Sequence, residues 1–526
     1  MKKILLFCLL IYSTGFGQNF TISDQHHYGS SDSDNLIKTI KCQDSGFLMV
    51  LKSNGSNHDK TQASFGGNDI WVVRLNADKS IRWEKSFGGN SEDIPYSVVE
   101  LSDENILILG ASASGVSGNK TSGNFGSNDY WVLKLNASGT KIWDKSFGSS
   151  SYDNPIAILA ISPLNYFIAG ISGGGVSGSK NSPSYGSSDV WCIGIDSSGT
   201  EIWQQAYGGT GNDGGVISAV PTGICPLQNG NVLLLTASNS GVSGVKTSPN
   251  YGITDAWVLE INPADGQLIQ QNGFGGTDGD YLYQALQIGN TIYLAGSSSS
   301  GVSGNKQSVL YGDHAAWLLK LDENLLILSD QCFGGTDQAS FHAGITKISN
   351  GFVAYGVCDS DENPWVTRAV NGDHDIWFMG FDDAGNYQWN YSFGSATGYD
   401  RVTDLIENSP NDYTISFGLS GGAANGDITI NGYGSDDAYL LDLTTSLGVP
   451  NLSSDSFSIY PNPVTSSFSI NGLNESASYE ISDLKGYTIE SGNYSGAIDT
   501  EKFIAGMYTI RIVSGSQTII KKWIKN

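Results

Sequence analysis

One stretch of the chain groups residue types that suit ligand binding. Residues 358–368 read Cys-Asp-Ser-Asp-Glu-Asn-Pro-Trp-Val-Thr-Arg. Carboxylates bind cations or accept hydrogen bonds from sugar hydroxyls, an indole ring stacks on flat ligands, and a guanidinium pairs with anions. The candidate binding residues of this segment are Asp359, Asp361, Glu362, Trp365 and Arg368.

Two histidines extend this candidate site. Asp373-His374 follows the segment closely, and Asp313-His314 occupies the matching place one repeat earlier. Imidazoles act as metal ligands and as groups that change charge near neutral pH. Two histidines without ordered spacing are not a metal motif, and drift of a surface loop explains the same residues. The metal and the cofactor therefore stay unknown, with Ca²⁺ as one option.

A second candidate is an aspartate that recurs after an aromatic-Gly pair. The column consists of Asp34, Asp93, Asp153, Asp213, Asp280 and Asp400. A ring of carboxylates could hold Ca²⁺ or supply general acids. Presence in almost every repeat favours a structural role instead, in which each carboxylate accepts backbone N–H bonds of a loop. Ala339 replaces the aspartate in the sixth repeat.

The elements that carry these residues repeat about every sixty positions. The aromatic-Gly pairs begin at Tyr28, Phe87, Phe147, Tyr207, Phe274, Phe333 and Phe393. The pattern Asp-x-Trp places aromatics at Trp71, Trp131, Trp191, Trp257, Trp317, Trp377 and Tyr439. Each copy reads as four short strands, and such a period marks one unit that stacks on its neighbours. The sequence predicts an all-β fold with a seven-bladed β-propeller over residues 18–445.

The seventh copy lacks a fourth strand of its own. Residues 19–23 lead into Tyr28-Gly29 as fourth strands lead into Phe-Gly elsewhere, so we expect this N-terminal strand to close the ring. In most copies the connection from the second to the third strand is long and carries Gly-Val-Ser-Gly and a lysine. Loops of that length are usually functional, so we expect the long-loop face to bind the ligand.

Composition limits the classes of partner that the chain can bind and indicates where in the cell it is sent. The formal net charge is −25, which argues against nucleic acid and anionic membranes as partners. Met1-Lys2-Lys3 and the apolar stretch behind it predict a signal peptide over residues 1–17, and no later segment is long enough to span a bilayer. The five remaining cysteines are scattered, so no disulfide framework or zinc site is indicated.

The end of the chain resembles a known export signal. Its motifs are Tyr460-Pro461-Asn462-Pro463, then Gly506-Met507-Tyr508, and finally Lys521-Lys522. Together they resemble the C-terminal sorting domain of the type IX secretion system. The resemblance implies a small immunoglobulin-like β-sandwich at residues 456–526, after a linker at 446–455. It also implies handling by that secretion machinery in a Bacteroidetes-type bacterium, with release or attachment at the outer surface.

The repeats themselves resemble those of uncharacterised secreted proteins that carry such tails, which implies no activity. Their third-to-fourth-strand hairpins are similar to those of quinoprotein propellers and, loosely, to the Asp-boxes of sialidases. No Gly-x-Ser-x-Gly, His-Glu-x-x-His or phosphate-loop motif is present. We predict a secreted or cell-surface binding or adhesion module whose partner is a polysaccharide or a surface protein. The alternative is an extracellular glycan-active or quinone-dependent propeller enzyme.

Overall fold

The computed structural model describes residues 19–214, 223–359, 365, 374–396, 399–421, 424–446, 458–471, 477–483, 488–514 and 517–526. Every regular element in these ranges is a β-strand, and they contain no helix able to span a membrane. The chain divides into two compact units, Met1–Thr444 and Thr445–Asn526. The predicted signal peptide at 1–17 and the predicted linker beyond residue 446 lie outside the described residues.

The described part of the larger unit contains seven four-stranded sheets, here called the first to the seventh sheet. The first three consist of β2 Asp34–Lys41, β3 Phe47–Ser53, β4 Asp69–Leu75 and β5 Ile81–Phe87; β6 Asp93–Glu100, β7 Ile106–Ser112, β8 Asp129–Leu135 and β9 Lys141–Phe147; and β10 Asp153–Ser162, β11 Asn165–Ser172, β12 Asp189–Asp196 and β13 Glu201–Tyr207.

The next three sheets follow the same chain order. They consist of β14 Ile224–Pro226, β15 Val232–Ser238, β16 Asp255–Ile261 and β17 Leu268–Phe274; β18 Asp280–Ile288, β19 Thr291–Ser298, β20 Ala315–Asp322 and β21 Ile327–Phe333; and β22 Ala339–Ile348, β23 Gly351–Cys358, β24 Asp375–Phe381 and β25 Tyr387–Phe393. The seventh sheet has β26 Asp400–Ser409, β27 Asp412–Ser420, β28 Asp436–Ser446 and, as its last strand, β1 Asn19–Tyr28. This confirms that the N-terminal strand completes the last sheet.

Burial along the strands explains why they form. The third strand of a sheet, such as β4 or β8, is buried at every position, because neighbouring sheets cover both of its faces. Outer strands such as β5 are exposed where they begin. Each third-strand tryptophan, from Trp71 to Trp377, is fully buried. The tryptophan columns therefore pack between sheets, as the repeat suggested.

Contacts run from each sheet to the next and return to the first. The first strands of neighbouring sheets touch at β2–β6, β6–β10, β14–β18, β18–β22 and β22–β26, and β26 touches β2. The third and fourth sheets share one hydrophobic cluster. Between the seventh sheet and the first, Lys38 forms an ion pair with Asp404. Lys79 lies 2.5 Å from Asp442 in the same seam.

The smaller unit contains two separate sheets within its described residues. One has β29 Ser458–Tyr460, β30 Ser467–Asn471 and β33 Ile498–Asp499; the other has β31 Ser478–Ser482, β32 Thr488–Asn493, β34 Gly506–Ser514 and β35 Gln517–Lys525. Their common core includes Phe468, Tyr508 and Trp523. This unit has its own hydrophobic core, as a separate domain requires.

Removing the N-terminal strand tests how much it contributes to stability. Phe20 lies 4.9 Å from Trp389 and 4.7 Å from Tyr391 between ring centroids, so β1 anchors the seventh sheet to the sixth. Deleting residues 18–27 should lower the melting temperature of the full chain sharply, because β28 becomes an open edge. Phe20→Ala alone should cost about 2 kcal/mol, since the ring is partly buried. Thr21→Ala is the exposed control, and equal melting temperatures of all variants would contradict the closure.

Candidate functional site

Two buried aspartates meet where one sheet adjoins the next. At the first junction Asp69 begins β4 and Asp93 begins β6, and both are fully buried. A Cβ placed on Gly88 would lie 1.9 Å from Oδ1 of Asp69 and 3.1 Å from Oδ2 of Asp93. No side chain fits there, which explains the glycine of the aromatic-Gly pair. Such pairs recur as Asp129–Asp153, Asp255–Asp280, Asp375–Asp400 and Asp437–Asp34.

The first-strand aspartates accept loop N–H groups, as the repeat predicted. The backbone N–H groups of Ser30, Gly89, Ser149, Gly209, Gly276 and Ser395 donate to Asp34, Asp93, Asp153, Asp213, Asp280 and Asp400 at 2.5 to 2.7 Å. Burial, reinforced by a neighbouring aspartate, raises the pKa of Asp69, Asp129, Asp255 and Asp437 to about 6. It raises the pKa of Asp400 to about 7.

The junction between the fifth and sixth sheets is the exception. Ala315 stands where other third strands begin with aspartate, and Ala339 replaces the first-strand aspartate. Both are fully buried. Cys358 pairs with Ala339 across the strands, where Ser298 pairs with Asp280 in the fifth sheet. Three polar members of the junction are thus replaced together, of which the repeat pattern had revealed only Ala339.

The long loops connect second to third strands at 54–68, 113–128, 173–188, 239–254 and 299–314. Each contains a lysine that points into the protein: Lys60, Lys120, Lys180, Lys246 and Lys306 are all buried. Lys120 Nζ donates to the carbonyl oxygens of Ser122 and Gly123 and lies 5.7 Å from the ring centroid of Trp131. Their burial and internal contacts indicate a structural role for these lysines.

Each long loop covers the preceding junction. Asn119 N donates to Gly88 O, and Gly88 N donates to the Asn119 side chain. Burial lowers the pKa of Lys120, and the nearby Asp93, Asp144 and Asp129 oppose that shift. In the seventh sheet Ile428 takes the lysine position, since it bridges Asn425 as Lys120 bridges Ser117. The junction that lacks this lysine holds Asp400, whose pKa is raised furthest.

Four of the seven predicted binding residues are described, namely Asp359, Trp365, His374 and His314. Nδ1 of His374 contacts Oδ1 of Asp359, and its ring centroid lies 4.3 Å from that of Tyr399. His314 Nδ1 lies 2.7 Å from Ser299 Oγ. Asp361, Glu362 and Arg368 lie outside the described residues, so their role stays a prediction.

Trp365 lies against the core of the larger unit. Its ring centroid is 5.0 Å from that of Phe333 and 5.6 Å from that of Tyr387, with interplanar angles of 89° in both cases. The indole is partly buried in these edge contacts. Trp365 therefore helps to fix the loop of the sixth sheet on the fold.

Sequence reasoning missed two residues that lie close to the histidines. Burial, together with the nearby Arg401, His374 and His314, lowers the pKa of His342 to about 4. His374 O accepts from Asp400 N at 3.4 Å, and His314 O accepts from Ala339 N at 2.8 Å. We call His314, His342, His374 and Arg401 the basic cluster. It joins the predicted histidines to the first strands β22 and β26.

The strand that carries His342 is irregular. In β6 the register shifts between Pro95 and Ser97, which leaves one bulged residue, Tyr96. In β22 the shift runs from Ser340 to Gly344 and leaves three residues without a cross-strand partner. Bulges re-aim side chains and are common beside functional sites. The signal in the sequence was a histidine at the position that holds Tyr96 in β6.

Metal binding finds no support in this geometry. Among the residues described, no three His, Cys, Asp or Glu side chains converge as a metal site requires. Asp359 contacts His374 of the basic cluster, which brings together two of the side-chain types that bind metals. The arrangement instead offers hydrogen bonds and positive charge.

The motifs of the smaller unit converge on one strand. Ile524 N donates to Asn462 Oδ1 at 2.9 Å, which places the Pro461-Asn462-Pro463 segment along β35. Tyr508 stacks on Trp523 with 5.0 Å between ring centroids. Lys521 and Lys522 pair with Ile510 and Thr509 across β34 and β35, and Gly506 pairs with Lys525.

This part of the chain matches a known family. Residues 458–526 fit the family described as "Secretion system C-terminal sorting domain". The smaller unit carries a type IX sorting domain. It indicates export by the type IX secretion system, to the cell surface or the medium. No curated protein matches the sequence significantly.

Solved structures resemble the fold at low identity. The WD40 domain of Neurospora crassa Pan2 has 11% identity and a TM-score of 0.40, covering 81% of this chain and 96% of that one. A protein of unknown function from Dyadobacter fermentans has 9% identity and a TM-score of 0.38, covering 81% and 99%. A quinohemoprotein alcohol dehydrogenase from Comamonas testosteroni has 8% identity and a TM-score of 0.40, covering 85% and 79%. The all-β fold resembles WD40 and other propellers, and no activity follows.

The paired aspartates predict an unusual dependence of stability on pH. Their folded-state pKa values of about 6 exceed the usual aspartate value of 3.8, so the folded chain binds more protons between these two values. Their contribution to the free energy of unfolding should therefore fall as pH rises from about 4 to about 7. Asp69→Asn removes one charge and supplies an N–H donor, so it should raise the melting temperature at pH 7.5 and change it little near pH 4.

The control for this prediction is Asp103→Asn, in an exposed turn. Thermal unfolding of the full chain from pH 4 to pH 8 measures the effect. A gain of about 1 kcal/mol or more at pH 7.5 is expected, since one pKa unit corresponds to about 1.4 kcal/mol. Parallel pH profiles of wild type and Asp69→Asn would show that the two carboxylates do not interact.

Proposed function

We propose that residues 18–445 form a seven-bladed propeller, with each four-stranded sheet as one blade. Its support is the contact of every sheet with the next and of β26 with β2. We further propose residues 1–17 as a signal peptide, residues 446–455 as a linker and residues 456–526 as an immunoglobulin-like sandwich. Two separate sheets around one core support the last assignment.

The proposed function is extracellular binding, by a module that the sorting domain exports. The observation that carries it is the basic cluster, which breaks the repeat at one place in an otherwise regular fold. It lies where second-to-third-strand loops meet the starts of β22 and β26. Functional sites commonly depart from the regularity that stabilises the rest of a protein. The proposed contact residues are His314, His374 and Asp359, with Asp361, Glu362 and Arg368 in the same segment.

A polysaccharide or a surface protein is the proposed partner. Net charge of −25 disfavours large polyanions such as nucleic acid, whereas neutral glycans and short glycans with a few charges meet a much smaller barrier. Each Gly-Val-Ser-Gly motif exposes its valine, at Val116, Val176, Val242 and Val302. Exposed apolar side chains at equivalent positions of four loops suit contact with a protein or a sugar.

Delivery is tested in a bacterium that has the type IX system. Deleting residues 456–526 should leave a folded larger unit that is retained in the periplasm, because the export signal is gone. Tyr508→Ala should also reduce export, since it removes the stack on Trp523, whereas the exposed Met507→Ala is the matched control. Normal amounts of the deletion variant in the medium or at the surface would refute this route.

Binding is tested on a glycan array with the full chain. Replacing residues 359–368, with Trp365 kept, by the corresponding residues of the second sheet should abolish binding and change the melting temperature little, because the core contacts of Trp365 with Phe333 and Tyr387 are retained. Replacing residues 299–308 by residues 113–122 is the matched control in the fifth sheet. If both exchanges bind like the wild type, the site lies elsewhere, most plainly at the exposed valines.

A further inference from the structure

Arg401 is the second residue of β26, and among the described residues no ion pair balances its charge. Three other arginines are described, and each has a carboxylate within 4 Å: Arg74 contacts Asp44 and Glu100, Arg82 contacts Asp44, and Arg511 contacts Glu480. No carboxylate of the described residues lies within that distance of Arg401. A chain with 52 acidic and 27 basic residues offers many partners, so an unpaired guanidinium is notable.

Within the part of the chain that the structure describes, the Arg401 side chain has one hydrogen bond. Nη2 of Arg401 donates to Oδ1 of Asn35 on β2 at 3.3 Å, so the guanidinium reaches from the seventh sheet toward the first. The residue is partly buried. A guanidinium carries five N–H donors, so most of its donors remain for a ligand. Partial burial also strengthens any ion pair that it forms.

Neighbouring first strands present uncharged polar groups at matching positions. Ser340 is the second residue of β22, and Tyr281 and Tyr283 are the second and fourth residues of β18. The two tyrosine rings are stacked, with 6.4 Å between centroids. Thr403 is the fourth residue of β26, and its hydroxyl lies 2.8 Å from Ser416 Oγ. Hydroxyls and aromatic rings at matching positions of β18, β22 and β26 suit a ligand that has an anionic group for Arg401 and a hydroxylated body that extends along these neighbouring strands.

His342 supports this assignment. Burial and the charge of Arg401 lower its pKa to about 4, so the imidazole is neutral at physiological pH. A neutral imidazole both donates and accepts a hydrogen bond, as recognition of sugar hydroxyls requires. The three-residue bulge of β22 sets His342 apart from the regular ladder. Within the basic cluster, permanent positive charge is therefore carried by Arg401.

We propose that Arg401 and His342 form a binding site for a carboxylate-bearing saccharide, with the guanidinium on the carboxylate and the imidazole on a hydroxyl. This rests on the proposed binding function and names the ligand class of the same site. Sulfate and phosphate share the oxyanion chemistry, but a planar carboxylate fits the guanidinium fork with two parallel hydrogen bonds. The hydroxyl groups of the surrounding strands then serve the sugar ring.

The test is isothermal titration of the full chain with trigalacturonate. Wild type should bind the free acid and should not bind its methyl ester, which removes the charge and keeps the sugar. Arg401→Gln should raise Kd at least tenfold. The Kd of Arg401→Lys should lie between those of wild type and Arg401→Gln, because lysine keeps the positive charge but lacks the planar pair of donors. Arg82→Gln is the control, since Arg82 is exposed and paired with Asp44. Circular dichroism checks that each variant is folded.

Three results would overturn the inference. One is equal affinity of wild type and folded Arg401→Gln for trigalacturonate. Another is equal affinity for the acid and its ester, which needs no variant. The third is the absence of trigalacturonate binding, whether or not sulfate or phosphate binds through Arg401. If the glycan array shows a neutral ligand that the exchange of residues 359–368 abolishes, the binding function stands and only the ligand class fails.

Discussion

Buried carboxylates at the junctions between sheets determine much of the rest of the structure. Each first-strand aspartate accepts hydrogen bonds from loop N–H groups that have no partner in a strand. These bonds to a carboxylate are stronger than bonds between neutral groups. Two carboxylates at one junction repel each other, however, and burial makes that repulsion expensive. The fold offsets it with a buried lysine in the covering loop and with raised pKa values. The glycines, the lysines and the length of the long loops all follow from this one arrangement.

The exceptional junction explains where the repeat diverges. Removing one aspartate of a pair would change its partner's environment, whereas Ala315, Ala339 and Cys358 together give an apolar contact that needs no counter-charge. The second-to-third-strand connection of the sixth sheet has no lysine at the position of Lys120. Without carboxylates at the junction, no lysine is needed there as a counter-charge, so the sequence of this connection is free to change. The candidate site thus lies where the structural constraint is absent.

Periodicity was enough to predict the four-stranded units, the N-terminal strand in the last sheet and the structural role of the aspartate column, because each depends on residues that recur. The sorting motifs were equally readable, since Asn462 accepts a hydrogen bond from Ile524 N of β35 and Tyr508 stacks on Trp523 of the same strand. The basic cluster was only half predicted. His314 and His374 were found from their departure from the repeat, but Arg401 and His342 lie on first strands, where adjacency between sheets decides their neighbours. The burial of the loop lysines could not be predicted either, because the sequence shows that a side chain is charged but not whether it points into the protein.

The position of β1 has a consequence for how the chain reaches its final state. Ser23 Oγ donates to Asp442 O across 419 residues, so the last sheet joins segments from opposite ends of the larger unit. Closing so long a loop is slow, although its entropic cost grows only with the logarithm of length. During vectorial emergence from a ribosome or a translocon, β1 must wait unpaired until β28 arrives. A chain that ends before β28 cannot complete the seventh sheet. Formation of this sheet therefore distinguishes chains that contain β28 from shorter fragments.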